Sequence, residues 1–269
     1  MNIIITKEFM YQELRNLLKL LFALPELESI VIKEVVIQSV NDEKSINRAV
    51  DRSFYDIYSD VDIYIKIKLS EHEYKGNCSI YADCMSRLGF ANDILGMSHY
   101  CTEPRGEVIR ICKTNGMRFD LIIIATYVED TPLLPHIHIS ENCEKINNFW
   151  FVAVQALGKL MRKDYLISTH LAHMLIQEGI VLQMVMRDKE KNTSIHKFGY
   201  AEELDYLNIF NNEEVYFKKT SDETYNYISK LIYSAVKSYD RLVSLLNASY
   251  KSRIENYLDI WSCYYQFHV

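Results

Sequence analysis

Residues 59–69 read Ser59-Asp60-Val61-Asp62-Ile63-Tyr64-Ile65-Lys66-Ile67-Lys68-Leu69, and their alternation decides the class of fold. Val61, Ile63, Ile65, Ile67 and Leu69 share one side, while Asp60, Asp62, Tyr64, Lys66 and Lys68 share the other. That period of two belongs to a strand with one face in a core. Toward the C-terminus, Ile94–Tyr100, Glu107–Lys113 and Met117–Ala125 read as three further strands, and Asn115-Gly116 supplies the tight turn between the last two. Toward the N-terminus, Val31–Ser39 is short and β-branched and reads as one strand, while the polar residues 40–58 lack a period and read as a loop with at most a helical turn. Thr6–Ala23 sets Phe9, Met10, Leu14, Leu17, Leu18 and Leu21 at helical steps, with Thr6 as N-cap and Pro25 just past the end. A second short helix is expected over Asn77–Leu88.

Beyond Asp130 the period changes to 3.6, and helices are expected over Ile146–Met161, Asp164–Asp188, Asp222–Leu246 and Ala248–Tyr265. The Pro132–Pro135 stretch marks the boundary. The expected class is α+β: an N-terminal mixed-sheet domain over residues 1–130, then a C-terminal helical bundle over 131–269.

Composition narrows the function. The 269 residues carry 49% hydrophobic and 25% charged side chains with a net charge of −6, a globular balance without the basic field that holds a nucleic-acid backbone. No nucleic-acid and no membrane partner is expected, since no apolar run reaches the ~20 residues a bilayer needs. With only 8 glycines and no G-x-G-x-x-G or G-x-x-x-x-G-K pattern, a Gly-rich phosphate loop is excluded. The 6 cysteines form no C-x-x-C pair and no secretory leader precedes them, which implies reduced thiols and a cytoplasmic protein.

Chemistry concentrates in three carboxylates. Asp60 and Asp62 emerge on one face of one strand, and Asp120 interrupts the apolar run Phe119-Asp120-Leu121-Ile122-Ile123. A charge in a core strand is costly unless it is paired, protonated or bound to a cation. Two readings follow. Three such groups on neighbouring strands make a hard-oxygen site for Mg²⁺ with substrate phosphates completing it. Alternatively, the Asp-x-Asp is a solvated strand end and Asp120 pairs with Arg118 or Arg110.

The ordered set of Ser39, Asp60-Val61-Asp62-Ile63 and Arg118-Phe119-Asp120-Leu121 resembles the nucleotidyltransferase superfamily, and in particular the aminoglycoside nucleotidyltransferases of the streptomycin 6-adenylyltransferase group. Asn148-Phe149-Trp150-Phe151 and Lys159-Leu160-Met161-Arg162-Lys163-Asp164 are similar to that group's passage into its helical domain. The resemblance implies a nucleotidyltransferase-like first domain and Mg²⁺-dependent transfer of a nucleoside monophosphate, AMP from ATP, to a hydroxyl of a small molecule such as an aminoglycoside-type antibiotic. Asp60, Asp62 and Asp120 would hold the metal, Ser39 would donate to a phosphate oxygen, and Lys159 and Arg162 would reach the triphosphate. Asp164 is either a base for the acceptor hydroxyl or the N-cap of its helix. Gln38 replaces the glycine of the family's Gly-Ser, which removes a close backbone approach to phosphate. The alternative function is therefore a catalytically silent nucleotidyltransferase fold with a nucleotide-binding, regulatory or toxin-antitoxin role. The oligomeric state stays open.

Three further features have a plainer and a sharper reading. His136 and His138 alternate and fit a loop or strand edge better than a zinc site. His170 and His173 share a helix face, which fits a packed helical interface. Trp150 and Trp261 either stack on a base or sugar or belong to the core.

Overall fold

The computed structural model describes residues 5–24, 26–70, 93–102, 106–128, 141–192 and 220–266. Helix α1 (Lys7–Leu21) begins where the Thr6 hydroxyl accepts the Phe9 N–H, and buries Met10, Tyr11, Leu14, Leu17, Leu18 and Leu21 on one stripe. Strand β1 (Leu27–Ile32) turns back through Lys33 and Glu34 into β2 (Val35–Ile37). The expected single strand over Val31–Ser39 is thus a hairpin. Its two turn residues take φ of 45° and 66°, the left-handed pair that a two-residue turn demands, here without glycine or asparagine to announce it.

The expected loop over 40–58 is also corrected. Helix α2 (Glu43–Ser53) occupies it, with the Asp42 carboxylate accepting the Ser45 N–H at 3.2 Å. Its buried residues Ile46, Ala49, Val50 and Ser53 form a narrow stripe among charged residues, enough to fix a face and too sparse to register as a period.

Strands β3 (Val61–Ser70), β4 (Ile94–Thr102), β5 (Gly106–Lys113) and β6 (Arg118–Val128) complete a six-stranded sheet ordered β2-β1-β3-β6-β5-β4. All pairs are antiparallel except β3 with β6, which run parallel at the centre. The β5–β6 turn contains Gly116 at φ 82°, as Asn115-Gly116 predicts. One sheet face, with Ile30, Ile32, Ile63, Ile65, Ile67, Ile109, Ile111, Phe119, Leu121 and Ile123, shares a core with α1 and α2. The other face carries Asp62, Tyr64, Lys66, Arg110, Asp120, Ile122 and Ile124 and stays partly exposed. At the β4 edge of that face the backbone of Gly96 lies against Trp150 and Phe151.

Among the described residues of the C-terminal half stand helices α3 (Glu141–Met161), α4 (Tyr165–Lys191), α5 (Glu223–Leu246) and α6 (Ile254–Gln266). The chain is α+β, a mixed sheet with helices, and among the described residues no strand follows β6. Two compact units divide inside α3, as Met1–Phe151 and Val152–Val269. In the second unit α4 and α5 start side by side, where the Tyr165 hydroxyl donates to Asp222 at 2.5 Å. Asp222 and Asp164 each cap a helix. The Asn77–Leu88 segment, the Pro132–Pro135 stretch, His136 and His138 lie outside the described residues. Among the described residues no helix is long and apolar enough to cross a membrane.

Candidate functional site

The partly exposed sheet face gathers the charged groups through register alone. Asp62 stands opposite Asp120 in the parallel β3–β6 pair, and Arg110 stands opposite Asp120 in the antiparallel β5–β6 pair. Ile32 is opposite Ile63, so Lys33, one residue past β1, falls level with Asp62. Residues level in register on adjacent strands present their side chains on the same face. The result is a row across four strands: Arg110, Asp120, Asp62, Lys33, or cation, carboxylate, carboxylate, cation. Asp60, just ahead of β3, and Arg118 on β6 stand one pleat further along the same face.

Each carboxylate is turned to a cation. The Lys33 ammonium donates to Asp62, Arg110 Nε lies 3.1 Å from Asp120 Oδ2, and Arg118 Nη2 lies 3.9 Å from Asp60 Oδ2. Arg118 is buried and also donates to the Tyr58 carbonyl. Arg110 sits over the Tyr100 ring at 5.6 Å. The hydrogen bond to Asp62 holds the Lys33 ammonium above its usual range. Burial, followed by the negative charge of Asp60, pushes the Asp120 carboxyl up to about 6, and Arg110 only partly offsets this. The Asp120 side chain is 13% exposed against 45% for Asp60, which is why the penalty falls on Asp120.

Lys33 is the site residue that the sequence reading missed, because that reading ran one strand through it. The available signal was the adjacent charged pair Lys33-Glu34 between Ile30-Val31-Ile32 and Val35-Val36-Ile37, two β-branched runs at hairpin spacing. The turn is held in place by α2, whose Arg52 donates to the Lys33 carbonyl at 2.8 Å and reaches the Glu34 carboxylate at 3.3 Å.

Among the described residues no group of three or more His, Cys, Asp or Glu side chains is gathered as a metal ion would need. Mg²⁺, however, is often held by only one or two carboxylates, with waters and substrate phosphates as its other ligands. Asp62 and Asp120, side by side with hard oxygen donors and with Asp120 raised by burial and then by the charge of Asp60, fit that smaller requirement.

The remaining expected site residues sit elsewhere. Ser39 is exposed between β2 and α2; its hydroxyl accepts the Asn41 N–H at 3.3 Å and its carbonyl accepts the Asp42 N–H at 3.2 Å, so it shapes the turn that leads to the α2 cap. Lys159, Arg162 and Asp164 belong to the second unit. Asp164 accepts the Ile167 N–H at 3.4 Å as N-cap of α4, and Lys159 Nζ lies 3.4 Å from its carboxylate. His170 and His173 are exposed, which corrects the packed-interface reading; His173 Nδ1 lies 2.9 Å from the Thr169 carbonyl. Trp150 and Trp261 are fully buried, Trp261 edge-on to Tyr257 at 5.8 Å, so neither offers a face to a base or sugar. Cys112 and Cys263 are buried thiols outside any disulfide, and burial pushes the Cys112 thiol up to about 12.

No protein-family model matches the chain, and no curated protein is significantly similar to it.

Proposed function

We propose that Asp62 and Asp120, with Asp60 beside them, form the centre of a Mg²⁺-dependent nucleotidyltransferase that moves a nucleoside monophosphate, AMP from ATP, onto a hydroxyl of a small molecule of the aminoglycoside type. The supporting observation is the facing of Asp62 and Asp120 on neighbouring parallel strands, with Asp120 raised to about 6 by burial and by the charge of Asp60. Such a pair favours a cation over bulk water. When bound, a divalent ion neutralises charge on the phosphoryl oxygens. The protein's part is positional: Asp62 and Asp120 bind, Arg110 orients the Asp120 carboxylate, and Arg118 orients that of Asp60.

The test is pyrophosphate release from ATP with Mg²⁺ and a panel of aminocyclitol acceptors, for the native chain and for Asp60→Asn, Asp62→Asn and Asp120→Asn. The native chain is expected to release pyrophosphate and each variant to lose at least about 100-fold while melting cooperatively. Absence of release from the native chain with every nucleotide and acceptor would overturn the transferase reading.

Two observations favour a second reading. All three aspartates already have cationic partners, and Gln38 stands where the resembled family carries glycine. A silent fold that binds nucleotide without turning it over would raise its melting temperature with ATP yet release no pyrophosphate.

A further inference from the structure

Lys33 has no role in the transfer outlined above, yet its position is built with some care. It occupies the first place of a two-residue turn at φ 45°, a conformation unfavourable for a side chain of its type. Its carbonyl is anchored by Arg52 of α2 at 2.8 Å. The backbone is therefore fixed, while the four-carbon stem leaves the ammonium able to swing. That ammonium is spent on Asp62, the very carboxylate that a divalent ion would take. Arg110 and Arg118 are different: each is a planar fork held within a strand, and Arg118 is buried with a second partner, the Tyr58 carbonyl. Of the three cations, Lys33 is the one on a turn; its side chain is 33% exposed, as Arg110 is at 34%, against 7% for Arg118.

We propose that Lys33 is an exchange residue: it neutralises Asp62 while the metal is absent, yields that carboxylate to the divalent ion, and then contacts a phosphate of the incoming nucleotide. This rests on the transferase reading and names the phosphate ligand that the missing Gly-Ser glycine leaves unfilled. Lysine suits the task because its ammonium is a point charge that can serve carboxylate and phosphate in turn.

The proposal makes two affinities move in opposite directions. In Lys33→Met and Lys33→Gln the carboxylate no longer has a competing cation, so Mn²⁺, used in place of Mg²⁺ and followed by the resonance signal of the free ion, is expected to bind about tenfold more tightly than to the native chain. A non-hydrolysable ATP analogue at saturating Mn²⁺ is expected to bind about tenfold more weakly, and Lys33→Arg to recover most of that loss. Two variants are used so that poor folding of one, seen by melting curve, still leaves a measurement. A merely structural lysine would shift both affinities the same way or neither, and either result overturns the exchange role while the native chain's Mn²⁺ binding keeps the transferase reading alive. If neither the native chain nor the variants bind Mn²⁺, the metal centre itself is refuted, and the exchange role falls with it.

Discussion

Asp62 and Asp120 are partners in the register of the only parallel strand pair among the described residues, so their carboxylates leave the same sheet face from adjacent strands. Burial is the main penalty on the Asp120 carboxylate, the charge of Asp60 adds to it, and that of Asp62 adds a smaller part.

The first prediction follows from that penalty. Burial and the charge of Asp60 push the Asp120 carboxyl up to about 6 from its ordinary 3.8. Between those values the folded chain holds a proton that the unfolded chain has released, so this group's contribution to stability falls as pH rises toward 6. The cost at pH 7 is on the order of 3 kcal/mol. Asp120→Asn removes the charge while retaining the shape. It is expected to be more stable than the native chain at pH 8 by about 1–2 kcal/mol, with the gain fading between pH 6 and 4. Urea unfolding at several pH values checks this; a variant less stable at pH 8 would mean that the ion pair with Arg110 outweighs burial.

The hairpin turn supplies the second. Glu34 holds φ 66° with its side chain 91% exposed, and its contact with the 37% exposed Arg52 at 3.3 Å lies at the surface. An exposed pair of this kind contributes little, whereas a non-glycine residue in the left-handed region costs on the order of 1 kcal/mol. Glu34→Gly is expected to raise stability by about 0.5 kcal/mol after the extra chain entropy of glycine is counted. Chemical denaturation resolves this, and a loss would show that the Arg52 contact matters more than the backbone.

These two sites also show where sequence reading succeeds. The alternation from Val61 to Leu69 and the apolar run around Asp120 made β3 and β6 legible, because a half-buried strand must repeat every two residues. Their pairing to each other was not legible: nothing local to either strand says that β6, rather than β4 or β5, lies beside β3. The β1–β2 turn escaped notice since Lys33-Glu34 carries none of the usual turn chemistry and is held from outside by Arg52. The cap of α2 was present as Asp42, but a helix burying four residues among so many charges takes its stability from the sheet beneath it rather than from its own pattern.

A third prediction concerns the second unit. Asp240, buried in α5, accepts from the Tyr250 hydroxyl at 2.7 Å, the Ser252 hydroxyl at 2.7 Å and the Arg253 N–H at 3.0 Å, so one carboxylate ties down the whole connection into α6. Removing it leaves three donors to find new partners. Asp240→Ala is expected to cost about 2–4 kcal/mol, and hydrogen exchange should show Ile254–Gln266 losing protection before the rest of the unit. Uniform loss of protection, or none, would argue against this tie.

The last prediction sets one chemical change at two positions with opposite expected signs. A Cβ on Gly96 would overlap the backbone of Trp150 and Phe151, and backbone cannot move aside as a flexible side-chain end can. Trp150 is itself fully buried, so relief requires α3 to shift away from β4 and opens a gap around a large aromatic ring. Gly96→Ala should therefore destabilise by about 3 kcal/mol or more. Gly179 lies within α4, and a Cβ there meets nothing within 4 Å. Alanine lowers the entropy of the unfolded chain and favours the helix, so Gly179→Ala is expected to stabilise by about 0.5–1 kcal/mol. Melting curves on the two single variants decide it. A mild effect of Gly96→Ala would mean that β4 and α3 do not approach as closely as the glycine allows, and a loss for Gly179→Ala would mean that the space beside α4 is filled in solution.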